Sequence, residues 1–171
     1  MPIRKKMWGL VMCVVGVLFA AQTALADHEA NSGSFKAILS AVTDFAAVEI
    51  MGTVVRVGTL DGTVTITESS GGPFELNSSS TLASAVYVKK SATGIDLEAS
   101  GVITDSAGDQ WYNIARRSAG DQSVGGGGTG RQEIPGGTGK YEGIIGSCEY
   151  YVDYLPDKKL VTYSTCQWKR N

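Results

Sequence analysis

Few side chains in this chain have the chemistry for covalent catalysis or metal binding. The single histidine, His28, is the base from which any Ser-His-Asp or Cys-His arrangement would have to be built. Of the three cysteines, Cys13 lies within an apolar N-terminal run, which leaves Cys148 and Cys166. The spacing of the carboxylates singles out no acid–base pair. These residues predict no metal site and no cofactor, and they leave open whether the protein is an enzyme.

Two short motifs have ordinary structural explanations. The run at 136–140, Gly-Gly-Thr-Gly-Lys, looks like a phosphate-binding loop, but Ile134 replaces the required early glycine and Tyr141 replaces the serine or threonine. Residues 105–109, Asp-Ser-Ala-Gly-Asp, lack the alternating oxygen ligands of a calcium loop. A turn that is stabilised by the side chain of its own aspartate fits this segment better.

The two remaining cysteines lie in segments that predict a β-hairpin. Residues 147–155 and 160–168 are rich in Tyr, Val and Thr, which favour strands, and a Pro-Asp-Lys sequence between them predicts a short turn. A register centred on Asp157 places Cys148 opposite Cys166, at a separation that a disulfide can bridge. Two free, buried cysteines are the alternative. The agreement between register and spacing favours the disulfide.

The alternation of side chains along these two predicted strands assigns the aromatic residues to one face or the other. Tyr150, Tyr154 and Trp168 share a face with the cysteines, and because charged residues occupy the other face, the aromatic face is expected to point inward. On an earlier strand, Trp111 and Asn113 also share one face, and Asn113 is the candidate polar group in an otherwise apolar pocket. If the interior is hollow, these five residues are the predicted ligand-binding wall. If it is filled, they are core, and Asn113 satisfies backbone groups.

The N-terminus has the pattern of an export signal. Basic residues at 4–6 precede an apolar run at 7–21 that is short for a membrane span, and Ala24-Leu25-Ala26 supplies a cleavage motif. Cleavage after Ala26 would leave 145 residues (171 − 26), and the loss of three of the 15 basic side chains would leave 12 against 17 acidic ones. This acidic balance argues against nucleic-acid binding. We expect an exported protein, periplasmic or secreted, with a signal peptide at 1–26 and no membrane span after processing.

The rest of the chain is typical of short strands separated by turns. Residues 27–44 are expected to form an N-terminal lead-in, in which 34–42 could be a strand or a short helix, and residues 45–171 one β-domain. After the apolar run at 45–58, Asp61-Gly62 is expected to close a two-residue hairpin loop. About eight strands and many glycines predict an all-β sandwich or barrel, and we favour a closed eight-stranded antiparallel barrel because closure removes exposed strand edges. Further strands are predicted at 85–90, 95–104, 110–117 and 131–134, with loops at 68–80 and 120–130.

Residues 136–154 resemble a known signature. The sequence Gly-Gly-Thr-Gly-Lys-Tyr-Glu-Gly-Ile-Ile-Gly-Ser, followed by Cys-Glu-Tyr-Tyr-Val-Asp-Tyr, is similar to the C-terminal signature of bacterial members of the allene oxide cyclase-like barrel group, which is related in fold to plant dirigent proteins. The turn at 105–109 looks like a turn of the same group, so the resemblance covers roughly residues 95–168. It implies an eight-stranded barrel with an apolar interior. It also suggests dimers or trimers, without favouring either, and no catalytic residue of the group can be placed on this chain.

Three functions are compatible with these features. The first is a non-catalytic exported barrel that binds a small apolar or aromatic ligand in its lumen. The second is a barrel isomerase or cyclase of the allene oxide cyclase-like type, since the plant enzymes use this interior to fold a reactive lipid epoxide into a ring, and dirigent proteins use theirs to steer radical coupling. The third is a structural or interaction domain with a filled core. A lumen filled by side chains would remove the first two.

Overall fold

A computed structural model of the protein describes residues 30–92 and 94–171. The predicted signal peptide, Cys13 and His28 lie outside this part of the chain. Within it, no helix is long and apolar enough to span a membrane. The eight strands are β1 (Ser32–Ile50), β2 (Thr53–Ser69), β3 (Ser79–Ser91), β4 (Gly94–Thr104), β5 (Gln110–Arg117), β6 (Gly127–Ile134), β7 (Ile144–Tyr154) and β8 (Lys159–Arg170), and a short 3₁₀ helix covers Gly139–Tyr141.

The strands form a closed antiparallel barrel. Each strand pairs with the next one in the chain, and β8 returns to pair with β1, where Phe35 lies opposite Cys166. Side chains alternate between the lumen and solvent: along β4, Ile95, Leu97 and Ile103 are buried. The predicted eight-stranded antiparallel barrel is therefore confirmed, and closure covers the edge of β1 as far as Val42.

The first hairpin differs from its prediction. β1 begins at Ser32 and so takes up residues 32–44 of the predicted lead-in, and the chain turns at Met51-Gly52 and not at Asp61-Gly62. Met51 and Gly52 both have positive φ angles, of 49° and 75°, as a tight two-residue hairpin turn requires. Asp61-Gly62 lies in the middle of β2, where Asp61 pairs with Val42. A Cβ at Gly62 would lie 2.6 Å from that of Ala41, so the glycine permits close approach of β1 and is not a turn residue.

The second half of the barrel follows its predicted pattern. The Asp105 carboxylate accepts hydrogen bonds from the backbone N–H groups of Ala107 (2.8 Å) and Asp109 (3.1 Å), as expected for a turn stabilised by its own side chain. In the β7–β8 hairpin Cys148 pairs with Cys166, and the two form the predicted disulfide. β3 and β6 both begin earlier than predicted, at Ser79 and Gly127 respectively.

One end of the barrel is filled by aromatic rings, and we call it the aromatic end. Phe74, from the β2–β3 loop, is buried and stacks on Phe35 with ring centroids 4.0 Å apart. Trp111, Tyr141 and Trp168 surround it at centroid distances of 5.5, 5.3 and 5.9 Å. The opposite end, which we call the loop end, carries the Met51-Gly52 turn, the β5–β6 loop and the β7–β8 turn. Any internal space accessible to a ligand is therefore expected towards the loop end.

A polar cluster centred on Lys140 connects the loops at the aromatic end. The Lys140 Nζ lies 3.0 Å from Asp105 Oδ2 and 3.4 Å from Glu75 Oε1, while the Lys140 backbone N–H donates to Asp109. The Asp105 side chain is 6% exposed. Although burial opposes it, the hydrogen bond and charge of Lys140, with the backbone N–H groups of the turn, hold the pKa of Asp105 below its ordinary value. The cluster joins the β4–β5 turn, the β6–β7 connection and the β2–β3 loop. Lys140, the lysine of the glycine-rich motif at 136–140, therefore has a structural role.

Candidate functional site

The lumen contains a cavity of about 60 Å³ in the half of the barrel nearer the loop end. Its wall is mainly aliphatic, with a minority of hydroxyl and amide groups. The lining residues are Leu39, Thr43, Phe45, Leu60, Leu82, Ser84, Val86, Leu97, Ala99, Asn113, Ala115, Gln122, Gln132, Tyr150, Val152, Tyr154, Leu160 and Thr162. All eight strands and the β5–β6 loop contribute to this wall, so the closed barrel itself creates the space.

A second cavity, of about 20 Å³, lies nearer the aromatic end. Its wall includes Phe35, Ile103 and Trp111, and it shares Asn113 and Gln132 with the larger cavity. The lumen is thus neither fully hollow nor fully filled. The aromatic end is packed, and usable space increases towards the loop end.

Asn113 stands between the two cavities. Its Oδ1 is buried and has no hydrogen-bond partner among the described residues. Its neighbour on both walls, Gln132, accepts a hydrogen bond of 3.1 Å from the Ser164 hydroxyl. Because a buried acceptor without a donor costs about 1–3 kcal/mol, the Asn113 carbonyl is a site where a water or a ligand donor is favoured. Asn113 therefore places a polar group on the walls of both cavities.

Two tyrosines form the polar side of the larger cavity. The ring of Tyr150 packs against Gly130 of β6, where a Cβ would lie 2.5 Å from the ring, so a glycine is needed there. Burial raises the pKa of Tyr150 to about 12, although the nearby positive charge of Arg117 opposes this. Tyr150 is consequently a neutral phenol at physiological pH. Tyr154 lies four residues further along β7, nearer the loop end. Its hydroxyl accepts a hydrogen bond of 2.9 Å from Arg117 Nη2.

Arg117 places a buried cation beside Tyr154, although Arg117 itself does not line this cavity. It ends β5 on the inward face, is 3% exposed, and its Cζ lies 5.4 Å from the centroid of the Tyr154 ring. Its Nε and Nη1 atoms have no hydrogen-bond partner within the described chain. Gln122 reaches the cavity from the β5–β6 loop, where its Oε1 accepts a hydrogen bond of 3.2 Å from Arg56. The loop end is therefore the polar end of the lumen.

The five predicted wall residues do not form a single site. Asn113, Tyr150 and Tyr154 line the larger cavity, whereas Trp111 lines the smaller one and Trp168 lines neither. All five do lie on the inner side of the barrel, but alternation does not report position along the axis. Trp168 is four residues beyond Ser164, the partner of Tyr150, which places it about 13 Å further along the strand. Its place in the aromatic cluster is structural.

Sequence reasoning missed Arg117, Gln132 and Gln122. A signal for Arg117 was present, because Trp111, Asn113, Ala115 and Arg117 share one face of β5 by simple alternation. Gln132 shares the inner face of β6 with buried Ile134. Gln122 comes from a loop whose path over the lumen carries no periodic signal.

The described residues contain no group of three or more His, Cys, Asp or Glu side chains that could hold a metal ion. Comparison with family models, with curated proteins and with solved structures finds no match for the chain.

Proposed function

We propose that this protein is an exported, non-catalytic barrel that binds a small apolar ligand in the larger luminal cavity. The observation that supports the proposal is a mainly apolar cavity within the barrel, whose wall also carries polar groups that include the buried Asn113 Oδ1 and the Tyr150 hydroxyl. Such a pattern is typical of ligand sites, in which apolar contact supplies affinity and a few polar groups set orientation. The Cys148–Cys166 disulfide is consistent with an oxidising, extracytoplasmic location.

The size of the cavity limits the ligand. A volume of about 60 Å³ holds several water molecules, since roughly 10–15 Å³ is enough for one. An apolar molecule of about five to eight non-hydrogen atoms could displace them, and release of that water would favour binding. Larger ligands would have to extend past Gln122 into solvent at the loop end. The filled aromatic end supports entry from the loop end alone.

A cavity-filling variant tests this proposal. Ala99 is half-buried on the cavity wall, and Ala99→Leu adds three carbons to the lumen. Ala85→Leu is the control and adds the same three carbons on the outer face. Ala85 faces outward because it precedes Val86, which faces inward opposite Ala99. Native mass spectrometry of the protein purified from its own cells should detect a retained small molecule in the wild type and in the Ala85→Leu variant. The Ala99→Leu variant should lack it. Ala115→Val provides a milder filling variant should Ala99→Leu fold poorly.

Detection of the apoprotein alone in the wild type and in both filled variants, with no bound species in any of them, would contradict the proposal. A bound species that survives equally in Ala99→Leu and Ala115→Val would place the ligand outside this cavity.

A further inference from the structure

The β1–β2 hairpin extends past the point where the barrel closes, and it leaves one edge of β1 without a partner strand. β1 pairs with β8 only from Ser32 to Val42, whereas it pairs with β2 as far as Ile50. Residues 44–50, Asp-Phe-Ala-Ala-Val-Glu-Ile, therefore have β2 on one side and no strand of the described chain on the other. We call this segment the free edge.

The backbone groups of the free edge point to solvent at every second residue. The Thr43 N–H donates to the Lys158 carbonyl at 2.9 Å, so the backbone groups of Thr43 point away from β2. Because this direction alternates along a strand, the N–H and C=O groups of Phe45, Ala47 and Glu49 point the same way. No backbone hydrogen bond within the described residues satisfies them on that side. They form a row of donors and acceptors with which another strand can pair.

The free edge lacks the features that usually prevent such pairing. Exposed edges in natural proteins are commonly blunted by proline, by lysine or by a β-bulge. Segment 44–50 contains no proline and no lysine, and the register shift between β1 and β2 lies well away from it, between Lys36 and Ala37. Towards the turn its outward side chains are apolar, since Val48 is 60% and Ile50 is 58% exposed. Val57 extends this apolar surface onto β2. Covering it would remove apolar area from water.

We propose that the free edge pairs with the same edge of a second copy of this chain and forms a two-fold symmetric, antiparallel dimer. A register in which Ala47 lies opposite Ala47 of the second copy also sets Phe45 opposite Glu49. All the unpaired backbone groups of the free edge then meet their complements, in about six hydrogen bonds. The register places no like charges directly opposite each other, because Glu49 meets Phe45 and Asp44 meets Ile50.

A second copy is the occupant that these features favour. The free edge is complementary to itself under a two-fold axis, so an identical chain supplies the matching strand without any further surface. On the outer face the register sets Ala46 against Val48 of the second copy, which joins the two apolar surfaces. Two copies use the free edge of both chains, so assembly stops at the dimer. Seven residues span about 23 Å, which is short for a permanent interface, and we therefore expect a reversible dimer. This proposal does not depend on the luminal cavity.

Ala47 allows a matched test, because its N–H points to the free edge and not to β2. Ala47→Pro removes this N–H and places a ring in the interface, while the hydrogen bonds to β2 remain. Ala47→Val keeps the N–H and adds a β-branched pair at the two-fold axis, so it should dimerise at least as well as the wild type. Sedimentation velocity from about 5 to about 500 µM should show both of these proteins passing from one chain mass to two. The dissociation constant of Ala47→Pro should be higher by about tenfold or more.

A cross-link tests the register directly and decides the question should Ala47→Pro fold poorly. Under mild oxidation Ala47→Cys should form an intermolecular disulfide, since opposite residues at the axis lie about 5.5 Å apart. Ile50→Cys is the control, because Ile50 belongs to the same exposed segment but lies about 20 Å from Ile50 of the second copy. It should link at no more than about a tenth of the rate.

Three sedimentation results would overturn the proposal. They are a wild type that stays monomeric at the highest concentration, an assembly larger than two chains, and an Ala47→Pro variant that is folded by circular dichroism and dimerises like the wild type. Equal cross-linking of Ala47→Cys and Ile50→Cys would also overturn it, because that result indicates random collision.

Discussion

Arg117 Nη2 donates a hydrogen bond of 2.9 Å to the hydroxyl of Tyr154, and this bond joins two strands that are not neighbours in the sheet. Arg117 ends β5 and Tyr154 ends β7, with β6 between them. β5 and β6 pair over only three residues, Ile114–Arg116 with Arg131–Glu133. The side-chain contact therefore links the barrel wall at its least extensively paired seam, and Tyr154 also lines the larger cavity.

Replacing this hydroxyl should destabilise the protein. Tyr154→Phe removes the acceptor but keeps the ring, so the buried guanidinium loses its hydrogen-bond partner, and we expect the free energy of unfolding to fall by about 1–3 kcal/mol. Urea denaturation followed by circular dichroism measures this. Tyr163→Phe, on the exposed face of β8, is the matched control and should change stability by less than about 0.5 kcal/mol. Equal stabilities for the two variants would show that the bond contributes nothing.

The Asp105–Lys140 pair should make the aromatic end sensitive to acid. The pKa of Asp105 is lower in the folded protein than its ordinary value near 3.8, so its ionisation stabilises the fold above that value. This contribution is lost as the pH falls through the still lower folded-state pKa. Asp105→Asn keeps the oxygen that accepts the turn N–H groups but removes the charge. Chemical denaturation should therefore show a loss of about 1–3 kcal/mol at pH 7 that shrinks below about pH 4.

A double-mutant cycle separates the ion pair from the turn. Because Asp105→Asn and Lys140→Met remove the same contact, the double variant should be less destabilised than the sum of the two single variants. Additive losses, or a loss in Asp105→Asn that is constant with pH, would contradict a stabilising pair.

The disulfide should contribute to stability through the unfolded chain. It joins residues 18 positions apart, and closing a loop of this length in the unfolded state is worth about 3 kcal/mol by chain entropy. The Cys148→Ala/Cys166→Ala double variant should therefore unfold at a lower urea concentration than the oxidised wild type. Peptide mapping without reductant should recover Cys148 and Cys166 as one linked pair. Two free thiols in the native protein would refute the bond.

Export can be tested on the purified protein. The basic residues at 4–6, the apolar run at 7–21 and the Ala24-Leu25-Ala26 motif predict a mature N-terminus at Asp27. N-terminal sequencing of protein from the producing cells should begin Asp-His-Glu. A mature chain that retains Met1 would overturn the predicted processing.

The sequence predicted those parts of the barrel in which independent local signals agreed. In β7 and β8, strand propensity, the turn around Asp157 and the spacing of the two cysteines all required the same register. In β1 and β2 only one strong local signal was present, Asp61-Gly62, and it was misleading, because glycine also occurs where strands approach closely. The actual turn at Met51-Gly52 carries less turn-specific chemistry, and pairing along the whole hairpin fixes it.

The candidate site could be predicted only in part, for a geometric reason. Alternation assigns a side chain to the inside of a barrel, and it placed Asn113, Tyr150 and Tyr154 there correctly. Alternation does not show which part of the lumen is filled along the barrel axis. That depends on Phe74, which packs into the lumen from the β2–β3 loop. The face of β5 that carries Trp111 and Asn113 also carries Arg117, a charged side chain that the usual apolar pattern of an inward face does not predict.

The central claim is that the larger cavity accepts a small apolar molecule, and the most direct test locates one in solution. With methyl-labelled protein and the neutral probe isovaleramide, intermolecular nuclear Overhauser effects should connect the probe to the methyl groups of Val86, Val152 and Leu160, which line the cavity. The outward methyl groups of Val42, Val48 and Val57 should show none. Contacts confined to the outward group, or no contacts with the luminal methyl groups at saturating probe, would contradict the account.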